Sequence, residues 1–511
     1  MKLSSKLISI TATTALSASL LLGTGFSPNT LQVEAKTVQT QVASKEIIFQ
    51  AHPGFDAKGF IKSIGGSIEQ EISLINGYAA IIPADKLALV ESTSGFAKIS
   101  VSNKVVTTAT KIGEGNRFGK ALGQRNTHKE LINATNAGYT GKGVTVAVLD
   151  SGVGQTGSLN VSESLAINPY ASTSDDSYGH GTHVAGLISG KAIDTGVAPD
   201  ANIINVKLGN DEGKVDEVDL LLGLQWVHDF KDQFNIKVVN LSVSSTVAQS
   251  YKDSPISAAV EQLWLNGVTV VTAAGNDRYN PADVNYAPAN DPFVITVGAL
   301  DGVGKTSPSD IQLASWSKKG ITSAGVTKPE LNAPGTKVTS YLSSDNAILA
   351  VEHPESVLNN KFLEMSGTSV AAPIVTGAIA LLLEANPTLT PNQIKYILTQ
   401  TSQPTATIDS NIIDIKRALE LAKNINGVDL NDYNTWDKSS YLSSSDNTFD
   451  YSKLTWTGVD WTKLTWTKLT WTNLPTGVMD WLKLTWTNIE WSKLTWTKLT
   501  WTKLTWTDSD F

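Results

Sequence analysis

From about residue 138 onward, apolar runs rich in β-branched residues alternate with segments of helical pattern. Five runs predict strands that are buried on both faces: 144–149, 201–206, 238–241, 268–272 and 293–297. Helical patterns separate or follow them, at 217–230, 255–266 and 415–423. This alternation predicts an α/β domain, a parallel sheet with helices on both faces.

A smaller unit precedes this domain. Residues 45–105 follow the order strand, helix, strand, strand, helix, strand, and Asn76-Gly77 predicts a hairpin turn between the two middle strands. This order predicts a small α+β unit of the split βαβ type.

The first 35 residues have the pattern of a secretory signal peptide. Lys2 and Lys6 precede an apolar stretch, and Val33-Glu34-Ala35 offers small residues for cleavage. A membrane anchor is the weaker interpretation, because the strongest apolar run, 15–22, is far shorter than the roughly 20 residues that span a bilayer. No other segment is long and apolar enough to span, so we predict a secreted protein without a transmembrane segment.

Charge and cysteine content exclude several function classes. The 511-residue chain has a formal net charge of −8, which argues against nucleic acid as its partner. It has no cysteine, so a cysteine nucleophile, a thiolate zinc site and a disulfide framework are all excluded.

Three polar residues are candidates for chemistry, and each has a structural alternative. Asp150 ends a predicted strand, and an Asp in this position, taken alone, is more often a turn or helix-capping residue than a catalyst. His180 begins a small-residue segment with His183, which could suggest a metal pair, although no third ligand follows at a suitable spacing. Ser369 begins a helix in which Pro373 suits the first turn, so it could be a cap or a nucleophile. We interpret His183 as a packed structural residue.

A fourth candidate, Asn276, follows the strand 268–272 and is either a turn residue or an oxyanion donor. The order Asp, His, Ser differs from that of α/β-hydrolases, and Ala371 breaks the Gly-x-Ser-x-Gly elbow, so a lipase is not favoured.

Together these motifs resemble the subtilisin family (subtilases) over about residues 130–425. The matching stretches are Val-Ala-Val-Leu-Asp150-Ser-Gly, His180-Gly-Thr-His-Val-Ala-Gly, Ala-Ala-Gly-Asn276 and Ser-Gly-Thr-Ser369-Val-Ala-Ala-Pro. The resemblance implies a serine endopeptidase with Asp150, His180 and Ser369 as its catalytic triad and Asn276 in the oxyanion hole. It also implies that the substrate-binding residues are Ser242, Val243 and Ser244 on one side and Ala273, Ala274 and Gly275 on the other.

The resemblance implies a domain order as well: signal peptide 1–35, inhibitory propeptide 36–115, peptidase domain 125–425, linker 431–450 and tail 451–511. The precursor is expected to cleave itself between Val105 and Arg125. The expected partners are protein or peptide substrates and the chain's own propeptide, and catalysis needs no cofactor.

The sequence departs from the family pattern at two places. Ser244 stands where the family has a glycine, so its side chain is expected to narrow the primary specificity pocket or shift the substrate strand. The calcium loop common in the family is missing, because Gly190 is followed within six residues by Gly196. A structural calcium site elsewhere remains open, with its position unknown, and no metal ligand is assigned.

The tail carries an internal repeat of the unit Thr-Lys-Leu-Thr-Trp between residues 452 and 506. This stretch has seven Lys against two Asp and one Glu, which suits retention at a cell surface through a cell wall or glycan. The alternative function is therefore an inactive subtilase-like surface protein that acts through this tail.

Overall fold

The computed structural model describes residues 43–107, 126–192, 195–407 and 410–425. The signal peptide, most of the predicted processing segment, the linker and the repeat tail lie outside the described residues.

The centre of the molecule is a ten-stranded, mostly parallel sheet, which confirms the predicted α/β fold. Neighbouring strands are parallel except for the outermost pair at one end and one short strand beside Ile295–Asp301. The order across the sheet is Gln403–Pro404, Asn411–Ile412, Leu331–Pro334, Ile295–Asp301, Thr269–Ala273, Ile236–Leu241, Thr145–Asp150, Asn202–Lys207 and Val161–Ala166, and Gln312–Leu313 pairs with Ile295–Asp301. All five predicted strands are present.

The edge strand Val161–Ala166 was not predicted. Its residues are exposed or half-buried, and half of them are polar, because an edge strand keeps contact with water. Eight short strands in the described part of the chain form three smaller sheets: Lys104–Thr107 with Val215–Asp216 and Val243–Ser245, Gly320–Ile321 with Thr327–Lys328, and Phe362–Met365 with Val338–Tyr341 and Val357–Leu358.

Helices enclose the sheet. Their bounds are His128–Leu131, His180–Ser189, Glu217–Phe230, Pro255–Leu265, Ile348–Glu352, Thr368–Ala385, Pro391–Thr401 and Ile415–Asn424. Thr368–Ala385 is apolar and long enough to cross a membrane, but 89% of it is buried inside the protein, so it is the core helix of the domain. The expectation that Pro373 lies in its first turn was wrong: Pro373 lies inside the helix.

The N-terminal unit, residues 43–107, has the predicted order of elements. Its strands are Ser44–Ala51, Ser67–Ile72, Gly77–Pro83 and Phe96–Val101, and its helices are Ala57–Ser63 and Leu87–Glu91. The antiparallel sheet has a small core of its own on one face. Ile48, Ile72 and Ile75 belong instead to the main core, so the other face packs on the larger α/β domain.

The connection inside this unit differs from the predicted two-residue turn. A 3₁₀ turn, Ser73–Ile75, follows the second strand, and Asn76 then adopts a left-handed conformation with φ 52°. Asn tolerates this conformation, whereas Gly77 is already the first residue of the next strand.

Candidate active site

Three neighbouring parallel strands end at the same edge of the sheet and supply the site. Asp150 is the last residue of Thr145–Asp150, Ser242 follows Ile236–Leu241, and Asn276 lies three residues beyond Thr269–Ala273. Carboxyl ends of parallel strands meet in this way, so residues distant in sequence converge.

Asp150 and His180 form a buried hydrogen-bonded pair. The Nδ1 atom of His180 lies 2.6 Å from Oδ1 of Asp150, and the two side chains are 0% and 1% exposed. Because the carboxylate can only accept, Nδ1 carries the proton and Nε2 is left as an acceptor. The same Oδ1 accepts the backbone N–H of Ser151 at 2.7 Å, which orients the carboxylate.

His180 is the first residue of its helix, and glycines allow that helix to start beside Asp150. Gly179, the residue before the helix, has φ 103°, a conformation that favours glycine. A Cβ on Gly181 would lie 2.1 Å from the carbonyl oxygen of Gly152. Glycine at positions 179 and 181 therefore lets the start of this helix lie close to the turn after Asp150, which explains the glycines on both sides of His180 in the sequence motif.

Asp176 also supports this site, and the sequence analysis missed it. Its buried carboxylate accepts the Ser151 hydroxyl at 2.8 Å, the Gly179 N–H at 2.7 Å and both the N–H and the hydroxyl of Thr182 at 2.8 and 2.6 Å. Burial raises its pKa, and these donors counteract the rise. Asp176 thus connects the turn after Asp150 to the helix of His180. Its only sequence signal is its place shortly before the His180 motif.

Ser369 lies in the first turn of Thr368–Ala385 and is fully buried. Among the described residues, its Oγ atom and Nε2 of His180 have no hydrogen-bond partner, so no hydrogen bond joins these two atoms. Catalytic hydrogen bonds often tighten only when substrate is bound. Both atoms are buried, polar and available for a reacting group.

Asn276 is held at the start of the helix that carries Ser369. Its Oδ1 accepts the backbone N–H of Thr368 at 2.9 Å. A Cβ placed on Gly367 would lie 2.8 Å from Oγ of Ser369 and 3.6 Å from Nδ2 of Asn276. The hydroxyl and the amide thus border one small space at a helix N-terminus, where negative charge is stabilised.

His183 does not belong to this group. It is buried, its Nε2 hydrogen bonds to the Val338 carbonyl at 3.1 Å, and burial lowers its pKa to about 3. His183 is therefore a neutral structural residue, as predicted. No group of three or more metal-binding side chains was found within the described parts of the chain.

An extended segment of the N-terminal unit occupies a cleft beside the site. Lys104–Thr107 lies between Val243–Ser245 and Val215–Asp216 and pairs antiparallel with both. Val105 and Thr107 are each 2% exposed. The predicted substrate-binding strand Val243–Ser245 therefore pairs with an extended peptide. Ser244 itself lies opposite Val106 in this pairing, so its side chain does not prevent the peptide from pairing here.

The second predicted wall of the substrate site, residues 273–275, begins at the end of the strand Thr269–Ala273, and its Gly275 lines the same cavity as Ser244. Ala273 ends its strand, Ala274 donates its N–H to the Val297 carbonyl at 2.9 Å, and Gly275 donates to the Thr368 hydroxyl at 3.1 Å. The structure therefore brings every predicted site residue to one edge of the sheet.

A parallel sheet that gathers a serine, a histidine and an aspartate at its carboxyl edge is the architecture of a serine hydrolase. Residues 141–433 match the model of the subtilase family. Serine protease AprX of Bacillus subtilis is 32% identical over 378 residues, which are 70% of this chain and 82% of that protein. The chain belongs to the subtilase family of serine endopeptidases.

Two further relatives are similar to parts of the chain. Minor extracellular protease Epr of Bacillus subtilis is 33% identical over 270 residues, 52% of this chain and 36% of Epr. The crystal structure of fervidolysin from Fervidobacterium pennivorans, a keratinolytic enzyme related to subtilisin, superimposes with a TM-score of 0.56. The two sequences are 22% identical, and the superposition covers 75% of this chain and 62% of the fervidolysin chain. This likeness supports the fold alone.

Proposed function

We propose that the chain is the precursor of a secreted endopeptidase that uses Asp150, His180 and Ser369 as its catalytic triad. The observation that carries this proposal is the buried 2.6 Å contact between Nδ1 of His180 and Asp150, which leaves Nε2 as the base at the edge where Ser369 lies.

The geometry supports the following steps. Nε2 of His180 accepts the proton of Ser369 as its Oγ attacks the scissile carbonyl, and Asp150 stabilises the charged imidazole. The amide of Asn276 and the N–H of Ser369 donate to the oxyanion. His180 then protonates the leaving amine, and water hydrolyses the acyl-enzyme by the reverse sequence. No cofactor is needed.

Self-processing is the second part of the proposal. Thr107 pairs with Val243, so the register of Lys104–Thr107 runs toward Ser242, whose hydroxyl contacts the backbone of Ser369. The N-terminal unit therefore fits the role of a propeptide that leaves its last strand in the cleft. We propose that the scissile bond follows Thr108, one residue beyond the paired strand.

The test compares casein hydrolysis and N-terminal sequence for the wild type and Ser369→Ala. The wild type is expected to digest casein and to begin at Ala109. The variant is expected to stay unprocessed, with turnover lower by about 10⁶-fold. Ser309→Ala, at an exposed surface serine, is the matched control and should behave as wild type. Digestion of casein by Ser369→Ala would contradict the triad.

Surface retention through the repeat tail is a separate part of the proposal. It rests on the excess of lysine over acidic residues and on the recurrent Trp between residues 452 and 506. Truncation after Asp450 should release the enzyme from cells without lowering casein hydrolysis. The inactive-surface-protein alternative is less favoured, because a binding scaffold does not need the Asp150–His180 pair.

A further inference from the structure

A cavity of about 150 Å³ opens beside the strand Val243–Ser245, next to Asn276. Its lining residues come from the substrate strand, the opposite wall and two later loops: Val106, Ser244, Ser245, Thr246, Gly275, Asn276, Asp277, Tyr286 and Lys318. Side chains two residues apart point to the same face of a strand. Because Val106 lines the cavity, a substrate that continues this extended strand would place the side chain two positions further on, the one before the cut bond, in the same cavity.

The lining of this cavity is polar. Apart from Gly275 and from Val106, which belongs to the bound strand itself, every lining side chain carries a hydroxyl, an amide or a charge. Burying a polar group without a partner is costly, so an aliphatic or aromatic side chain fits this cavity poorly. A ligand side chain that accepts hydrogen bonds fits it better.

Lys318 provides a fixed positive charge in the wall. Its side chain is held on two sides: Nζ donates to the Asp283 carbonyl at 2.7 Å and lies 3.8 Å from the centre of the Tyr286 ring. Its stem covers the opposite wall, with Cδ 3.1 Å from where a Cβ of Gly275 would be. Lys318 is 6% exposed, so water screens its charge weakly.

Two carboxylates lie near Lys318: Asp277 lines the same cavity, and the pKa of Asp283 is lowered in part by the Lys318 charge. Asp277 is only half-buried and accepts the backbone N–H groups of Tyr279 and Asn280 at 2.9 and 3.0 Å. Asp283 accepts the N–H and the amide of Asn285, each at 3.2 Å, and a hydrogen bond from the Tyr286 hydroxyl. Lys318 is therefore more deeply buried than either carboxylate. Because water screens charges near the surface, the two carboxylates act more weakly than Lys318 on a ligand at the same distance.

We propose that Lys318 is a specificity-determining residue and that the enzyme prefers a carboxylate side chain, above all glutamate, immediately before the cut bond. This inference rests on the proposed function, because it assigns the substrate class of the same site. A carboxylate there would pair with the ammonium group and gain a charge-assisted hydrogen bond. Lysine or arginine there would meet a like charge.

The test uses peptides that are identical except for glutamate, glutamine, phenylalanine or lysine before the cut. The wild type should show the highest kcat/KM for glutamate. Lys318→Met should lower the glutamate-to-glutamine ratio by about tenfold, the usual effect of one lost charged hydrogen bond, and Lys318→Arg should restore most of it. Lys319→Met, at a neighbouring lysine that does not line the cavity, is the control and should keep the wild-type ratio.

A wild-type preference for phenylalanine, or a glutamate-to-glutamine ratio that Lys318→Met leaves unchanged, would overturn the inference while casein hydrolysis remains. Loss of casein hydrolysis would instead count against the proposed function. In that case, binding of the same peptides to full-length Ser369→Ala, measured by fluorescence anisotropy, decides the preference without turnover. Thermal unfolding of Lys318→Met shows whether that variant is folded.

Discussion

The hydroxyl of Ser242 donates a hydrogen bond to the backbone carbonyl of Ser369, with an oxygen–oxygen distance of 3.1 Å. In a regular helix the N–H four residues later would bond to this carbonyl, but that residue is Pro373, which has no N–H. Ser242 itself accepts the amide of Asn240 at 3.0 Å. A side chain from the proposed substrate-binding segment thus replaces a missing helical bond directly at the proposed nucleophile.

Replacing Ser242 should affect turnover more than substrate affinity. Ser242→Ala leaves a buried carbonyl without its donor, which costs about 1–3 kcal/mol, and loosens the backbone of Ser369. We expect kcat to fall several-fold with little change in KM, and the melting temperature to fall. Steady-state kinetics and calorimetry measure both, with Ser309→Ala as the control. An unchanged kcat would show that the helix holds Ser369 without this bond.

Asp176 should act as a positioning residue. Asp176→Asn replaces an acceptor-only carboxylate with an amide that cannot accept from all of its present donors, so the helix of His180 should lose its fixed start. We expect kcat/KM to fall by about tenfold or more. The neighbouring Asp175 is exposed, so Asp175→Asn is the matched control. If the two variants show equal activity and equal pH profiles, Asp176 has no positioning role.

The contact between the N-terminal unit and the peptidase domain should weaken as pH rises. Glu217 is 1% exposed, accepts the Asn103 N–H at 2.9 Å, and its Oε1 atom has no partner among the described residues. Burial raises its pKa from 4.5 to about 7, and burial likewise raises the pKa of Asp219 to about 6 and that of Glu46. Lys104 and Asp216 form an ion pair nearby.

A carboxyl whose pKa is higher in the complex takes up a proton on association. The complex is therefore tightest below the ordinary pKa and weakens as pH rises from about 4.5 through about 7. Self-processed enzyme should retain its cleaved N-terminal fragment on size-exclusion chromatography at pH 5 and lose it at pH 8. Glu217→Gln should make retention less dependent on pH. Equal retention at both values would contradict this mechanism.

A buried ion cluster should contribute strongly to stability. The Lys395 ammonium lies 2.7 Å from Oε1 of Glu330, which also contacts Lys328 at 2.6 Å. Lys395 also donates to the carbonyls of residues 292, 293 and 294. Because Lys395→Met takes one of its two cations from the buried Glu330 and removes a donor from three buried carbonyls, it should lower the free energy of unfolding by about 3–5 kcal/mol. Urea unfolding measures this, with the exposed Lys416→Met expected to show no change.

Local pattern in the sequence was sufficient for the architecture of the peptidase domain. The strand Thr145–Asp150 contains a continuous apolar run, 146–149, and ends at a polar residue, and the helix Glu217–Phe230 has the predicted bounds. Such elements are predictable because burial on both faces of a parallel sheet leaves a direct trace in composition. The edge strand Val161–Ala166 escaped prediction because contact with water removes that trace.

For the site, the sequence by itself determined the residues that we propose carry the chemistry: Asp150, His180, Ser369 and Asn276 lie in motifs with glycine and small neighbours. Tertiary structure decided what surrounds them. The Ser242–Ser369 bond, the four donors around Asp176 and the Lys318 wall each join residues from different strands, helices or loops. Such contacts depend on how the chain folds in three dimensions, so no local pattern records them.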